Sequence, residues 1–417
     1  MKKTPLIILS ALTLVAGNSF AQINPSKKTS SQKEKTIALP DVKKGFEFAG
    51  KQTALLLKET ALVKAQSKKA GLISPRSLDT VGNLELVPSK DWCSGFFPGE
   101  LWYLFEYTKD PKWATEARSY TIGVEAEKTN GTTHDMGFKV YCSVGNGYRL
   151  TEDEHYKSVL LEAAKTLATR FNPKVGSIKS WDNRKNWKFP VIIDNMMNLE
   201  LLFEATRLSG DSSFYKIAVA HANTAMKNHF RSDYSSYHVI DYDPETGAVL
   251  HKQTHQGYAD GSAWARGQAW GIYGYTMCYR YTKNKAYLEQ AEHIAHFIFS
   301  NPHLPADLIP YWDYNDPAIP KSPRDVSAAT VTASALYELS TYSSNSAQYK
   351  LWADKIIHQL NTGYLAKPGG SKGFILLHST GNKPSNGEID VPIIYADYYY
   401  LEALLRQKRL AETGKIF

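Results

Sequence analysis

An all-α toroid of six helical hairpins, an (α/α)6 barrel in a single domain, is the fold class this sequence predicts, on three observations. A turn pattern recurs: an apolar helix ends, a short turn holds Asp or Asn, and a new helix opens on an aromatic residue about three positions later. The helices before each turn are apolar or small nearly all round, and those after it are one-sided. All-round apolarity marks burial and one-sidedness a solvent-facing layer, so inner and outer rings follow. Strand patterns are sparse.

Along the chain, residues 1–21 read as a secretory signal. Lys2 and Lys3 precede an apolar run from Pro5 to Val15, and Ser19-Phe20-Ala21 is a small-x-small cleavage site. The run is too short to span a bilayer, and no cysteine follows the cleavage site to carry a lipid. The expected product is a soluble exported protein, periplasmic and cleaved near Ala21. Residues 22–45 form a flexible lead-in, Lys/Ser-rich up to residue 40, and the toroid occupies 46–417, opening with an amphipathic helix from Phe46 to Gln66.

The recurring turns are Tyr107-Thr-Lys-Asp110-Pro-Lys-Trp113, Leu150-Thr-Glu-Asp153-Glu-His-Tyr156, Leu208-Ser-Gly-Asp211-Ser-Ser-Phe214 and Tyr281-Thr-Lys-Asn284-Lys-Ala-Tyr287, with a looser Tyr342-Ser-Ser-Asn345-Ser-Ala-Gln-Tyr349. Each Asp or Asn is an N-cap for the next helix. The inner helices are expected at 97–108, 135–149, 194–208, 265–282, 325–342 and 393–407. One hairpin, Tyr237 to Leu250, is expected in a long loop around Asp243-Pro-Glu-Thr-Gly247.

Composition narrows the function. Charged residues at 22% and hydrophobic ones at 43% are ordinary for a globular protein, whereas 26 Tyr and 9 Trp are many. The net charge of +8 falls to six without Lys2 and Lys3, a modest excess that suits an acidic substrate. An exported chain without a basic motif argues against nucleic acid. Three cysteines, Cys93, Cys142 and Cys278, allow at most one disulfide and leave one thiol free. CxxC and HExxH spacings are absent, so neither a metal nor another cofactor is expected. His221, His293 and His296 fall on outer helices and read as solvated or capping residues.

If the inner helices are parallel, their N-terminal ends share one mouth, and unusual polar residues collect there. Asp91-Trp92-Cys93-Ser94-Gly95 precedes the first, His134-Asp135-Met-Gly-Phe138 opens the second and Asp194-Asn-Met-Met-Asn198 the third. Thr254 to Trp270 leads into the fourth and carries His255, Gln256, Tyr258, Trp264, Arg266, Gln268 and Trp270. Pro323-Arg324-Asp325 opens the fifth, and Asp390 and Asp397 lie near the sixth. A single Asp at a helix start is ordinarily a cap; several on one concave end are harder to explain that way. Aromatic faces stack on sugar rings, and a guanidinium grips a carboxylate or sulfate. Paired carboxylates serve chemistry at glycosidic or enol-ether carbons. Asp135 and Asp194 are the best pair, one expected to titrate high as an acid and the other to stay charged.

His134-Asp135-Met-Gly-Phe138, Asp194-Asn-Met-Met-Asn-Leu199, His255-Gln256-Gly257 and Trp264-Ala-Arg266-Gly-Gln-Ala-Trp270 resemble the motifs of glycoside hydrolase family 88, the unsaturated glucuronyl hydrolases, from about Phe46 to the C-terminus. The resemblance implies an (α/α)6 barrel and a metal-free reaction on oligosaccharides that end in a 4,5-unsaturated uronic acid, the products of polysaccharide lyases. It implies that Asp194 protonates C4 and helps water add at C5, while Asp135 holds the substrate and tunes Asp194. By the same resemblance His134, His255, Gln256, Trp264, Arg266 and Trp270 line the −1 sugar, with Trp92 stacking at the rim.

One stretch departs from the pattern. Members that prefer sulfated chondroitin-type products carry serines just before the last helix, where this chain has Glu388-Ile-Asp390-Val-Pro-Ile-Ile394. Lys372 and Lys383 nearby are either sulfate contacts or plain surface charges, so heparin/heparan products join chondroitin/hyaluronan ones as candidates. The competing readings are a family 105 unsaturated rhamnogalacturonyl hydrolase on pectin fragments, an inverting glycosidase, which needs carboxyls roughly 6.5–9.5 Å apart, and a non-catalytic glycan-binding protein. Oligomeric state is open.

Overall fold

The computed structural model describes Met1, residues 41–182 and residues 184–417. The expected signal at 1–21 and the lead-in as far as residue 40 therefore lie outside the described residues. Residues 41–417 fall within one compact unit. Helix α1 (Val42–Gln66) begins four residues earlier than expected, because the Asp41 side chain accepts from the backbone N–H of Lys44 and caps it there.

Two rings of helices follow. The inner ring holds α2 (Phe96–Thr108), α4 (Asn146–Thr151), α6 (Leu199–Ser209), α8 (Ala265–Thr282), α10 (Val326–Leu339) and α12 (Ile394–Thr413). The outer ring holds α1, α3 (Pro111–Val124), α5 (Glu154–Ala168), α7 (Ser212–Asn228), α9 (Lys285–Ser300) and α11 (Ser346–Gln359). Each inner helix packs on the next, the second reaching α6 through the Gly137–Gly145 stretch that precedes α4, and α12 packs back on α2, closing the ring. Burial separates the layers as the apolar patterning requires: all 14 residues of α10 are buried, but only five of the 14 on α11.

The turns behave as capping chemistry dictates, with one exception. Asp110, Asp153, Asp211 and Asn284 each accept from the backbone N–H two residues on. Asn345 sits at the N-cap of α11 without a side-chain bond.

Inner helices two and three are not the continuous α-helices expected at 135–149 and 194–208. The second opens as a π-helical stretch, Gly137–Gly145, and only then becomes α4. The third opens as a 3-10 turn, Ile193–Asn198, before α6. Close backbone approach is the physical reason. A Cβ on Gly95 would lie 2.1 Å from the Lys139 carbonyl oxygen, and one on Gly137 would lie 2.6 Å from the Asn198 Cα. Asn198 Oδ1 accepts from the N–H groups of Gly137 and Phe138, at 2.8 and 3.2 Å, and so caps the widened turn.

Short antiparallel strands fill the loops. β1 (Leu72–Leu78) pairs with β2 (Leu84–Pro88), a hairpin the sequence reading passed over. β3 (Phe171–Asn172) pairs with β4 (Ser177–Ile178). The hairpin expected at Tyr237–Leu250 is β6 (Val239–Tyr242) and β7 (Val249–Gln253), and β5 (Phe189–Ile192) joins it as a third strand. His221 is not solvated: it is fully buried, and its Nδ1 accepts from the N–H of Ile178 on β4. His293 and His296 are exposed on α9. All three cysteines are buried free thiols, and no helix among the described residues is long and apolar enough to cross a membrane.

Candidate active site

The N-terminal ends of the inner helices open onto one cleft of about 1190 Å3 including its mouth, with Trp92, His134, Asp135, Asp194, His255 and Gln256 in its walls. Asp194 sits at its base. It follows β5 directly, and the N–H of Ile193 donates to the carbonyl of His238 at 3.0 Å, so the β5–β6 pairing places Asp194 beside His238.

His238 is the residue sequence reasoning missed. Its Nδ1 accepts from the backbone N–H of His255 and of Gln256, at 3.0 and 3.1 Å. A nitrogen that accepts twice carries no proton, so the proton lies on Nε2, which faces Asp194 Oδ2 at 3.6 Å. Burial, with His255 and Arg266 nearby, pushes the His238 pKa far below that of a free imidazole and keeps the ring neutral. Lying just ahead of a strand within a long loop, it carried no periodic or helix-start signal.

Asp194 is only 7% exposed. Burial dominates its chemistry and raises its pKa to about 7, with Asp135 adding to the rise. Arg266 and the indole N–H of Trp270 pull the other way, although that N–H falls short of hydrogen-bond geometry. A carboxyl balanced near neutrality can deliver a proton and take one back. Asp135 is more open to the cleft. The Thr133 hydroxyl donates to its Oδ2 at 2.6 Å, and His134 Nε2 lies 3.2 Å from its Oδ1. His134 itself is buried, and desolvation lowers its pKa. The two carboxylates thus share one cleft in different environments.

The remaining expected residues divide between wall and support. Gln256 Nε2 donates to the Gly381 carbonyl at 3.1 Å. His255 lies against the Trp181 ring edge at 5.3 Å, and burial lowers its pKa to about 4. Trp92 packs among Phe96, Phe138 and Tyr395 at the rim. Arg266, by contrast, is buried and already engaged: it donates to Asp325 Oδ2 at 2.6 Å and to the carbonyls of Thr380 and Gly381 at 2.7 and 2.5 Å. It ties α8, α10 and the loop after residue 379 together behind Asp194. Trp264 lies under its guanidinium and 4.6 Å from the His238 ring, and Trp270 is wholly buried.

One wall was not foreseen. Arg76, on β1, grips Glu388 through Nε and Nη2 at 2.7 and 2.9 Å and Asp91 through Nη1 at 2.7 Å. The stretch at 388–394 therefore binds an arginine of the first hairpin. Lys372 pairs with Glu59 on α1, and Lys383 with Asp316; neither borders the cleft.

Comparison with known proteins follows the same lines. A family model described as Glycosyl Hydrolase Family 88 matches residues 75–315. The chain is 50% identical over 404 residues to an unsaturated glucuronyl hydrolase of Formosa agariphila, covering 96% of this chain and 98% of that one. It is 36% identical to the unsaturated glucuronyl hydrolase of Bacillus sp. (strain GL1), covering 82% and 93%. A crystal structure of an unsaturated glucuronyl hydrolase specific for heparin superposes with a TM-score of 0.84 at 49% identity, covering 89% of this chain and 98% of that one.

Proposed function

The chain belongs to glycosyl hydrolase family 88, and we propose from this that it removes the 4,5-unsaturated uronic acid from the non-reducing end of lyase-generated glycosaminoglycan oligosaccharides. It is a glycoside hydrolase. The observation that carries the mechanism is the Asp194 carboxyl, buried beside a neutral His238 and raised to about 7 in the same cleft as Asp135.

The reacting group is an enol ether, C4=C5–O5. The Asp194 carboxyl gives its proton to C4, and the positive charge that develops on C5 and O5 is stabilised by carboxylate charge in the cleft. Water then adds to C5 and returns a proton to Asp194. The hemiketal opens to a C5 ketone, and the hemiacetal left at C1 collapses, releasing the shortened sugar. One water is consumed, and the acid is regenerated. Asp135 holds the substrate and, by its charge, helps keep Asp194 protonated. Heparin/heparan and chondroitin/hyaluronan products are both within this reading, and similarity to the heparin-specific structure supports the former. The signal-like segment supports export to the periplasm, checked by whether the mature chain begins near residue 22.

The test follows ultraviolet absorbance of the conjugated uronate as purified protein meets lyase-derived disaccharides, with Asp194→Asn alongside. Wild type should bleach the signal, and the variant should lose about 10²- to 10⁴-fold in turnover while still binding. Binding without bleaching on every glycosaminoglycan disaccharide would overturn the reading.

A further inference from the structure

One wall of the cleft is held by charge. Residues 379–391 form a narrow ribbon: Ser379 and Val391 exchange backbone hydrogen bonds, the N–H of Gly381 donates to the Glu388 carbonyl, and Asn382 pairs with Gly387. The Gly381 carbonyl accepts from Gln256 and from Arg266. Glu388 takes the left-handed region, with φ 53°, which is uncommon for a residue that has a side chain. Its carboxylate folds back onto the ribbon, where a Cβ on Gly381 would lie 2.2 Å from Oε2. Two N–H groups of Arg76 hold the carboxylate there, and a third reaches Asp91, the residue before Trp92. One guanidinium thus joins β1, the entrance of α2 and the ribbon.

The same contacts set the charge of the wall. Among the described residues five carboxyl side chains line the cleft and only three cationic ones, Arg76, Lys90 and Arg184. The imidazoles of His134 and His255 add little, because burial lowers the pKa of both. The Asp91 and Glu388 side chains are only 21% and 11% exposed, so water and salt screen them poorly. Glu388 and Asp194 both act on the buried Arg266 guanidinium, so a Glu388 charge left unbalanced would reach the base of the cleft. The sugar that must rest there, an unsaturated uronate, is itself an anion.

We propose that Arg76 is a positioning residue: it holds Glu388 against Gly381 and balances the carboxylates of this wall, so that an anionic sugar can occupy the space beside Asp194. Because it presupposes a uronate in the cleft, this role rests on the hydrolase reading above.

The experiment measures kcat and KM of wild type, Arg76→Gln, Glu388→Gln and the double variant on the least charged unsaturated disaccharide that wild type turns over. Arg76→Gln leaves two carboxylates unpaired and should raise KM about 10- to 100-fold, the scale of one unbalanced charge at a partly buried site, with kcat within about threefold of wild type. Glu388→Gln leaves Arg76 paired with Asp91 and should raise KM by less than about threefold. Adding Glu388→Gln to Arg76→Gln should bring KM back to within about fivefold of wild type, a rescue that a purely structural arginine does not allow. A double variant as impaired as Arg76→Gln would mean that Arg76 touches the substrate itself or serves folding alone, and would overturn the proposal. So would an unchanged KM in Arg76→Gln, or a loss confined to kcat. If Arg76→Gln shows no thermal unfolding transition, the double variant decides: KM within about fivefold of wild type supports the role, and a larger rise overturns it. A wild type inactive on every unsaturated disaccharide would instead count against the hydrolase reading itself.

Discussion

At the scale of single residues, Asp194 sets the pH dependence. With its pKa raised to about 7, its acid form is abundant below that pH and lost above it. A mechanism that begins with proton delivery therefore predicts a kcat/KM that falls on the alkaline side of about pH 7. Because the Asp135 charge adds to the rise, Asp135→Asn should move the falling limb to lower pH; a limb that stays or moves up would separate Asp194 from it. His238 supports a second prediction. His238→Ala removes the acceptor for two backbone N–H groups, at a cost of about 1–3 kcal/mol each if left unpaired. Thermal unfolding should drop by several degrees, and turnover should fall with it because His255 and Gln256 lose their anchor. Asp135, Asp194, His134 and the Trp264–Trp270 stretch were legible because each stands at a helix entrance, where a polar residue is conspicuous against an apolar run. Arg76 was not, since β1 carries too few residues to show a period; His238 lay inside the expected Tyr237–Leu250 hairpin but away from any helix entrance.

At the scale of elements, alternating helix character exposed both rings, and Asp110, Asp153, Asp211 and Asn284 marked where the outer helices begin. What periodicity does not encode is the hydrogen-bond pattern within an inner helix. The π-helical stretch before α4 depends on Gly95 and Gly137 meeting other backbones, contacts set by chain segments far apart in sequence. Asn198 is the key to that junction, because one oxygen accepts from two N–H groups in a buried place. Asn198→Ala should cost about 1–3 kcal/mol per orphaned donor, read as a lowered unfolding midpoint in denaturant. Since the same turn presents His134 and Asp135, KM should rise in the folded fraction. Asn198→Leu keeps the side-chain volume but not the acceptor and should be no more stable than Asn198→Ala, whereas simple loss of side-chain volume predicts recovery.

At the scale of the whole molecule, the toroid closes where α12 returns to α2, and α1 covers that seam. Two buried carboxyls meet there. Burial, with Glu100 beside it, pushes the Asp397 pKa well up, against the N–H groups of Ile375 and Leu376, which donate to its carboxylate and favour the charged form. The Thr53 hydroxyl donates to Glu100 Oε1 at 2.6 Å, with the Ala49 carbonyl as its longer alternative at 2.9 Å. Burial, the largest influence, raises the Glu100 pKa well above the ordinary glutamate value. The folded ring consequently holds a proton that the unfolded chain gives up at lower pH. Stability from this site is fully present below the unfolded glutamate pKa and declines as pH rises toward and past neutrality. Glu100→Gln removes the Glu100 titration while retaining an acceptor for Thr53. Its unfolding temperature should match or trail that of wild type near pH 5 and exceed it near pH 9, with the gap widening between. Parallel curves for the two proteins across that range would mean that ring closure does not depend on the Glu100 proton.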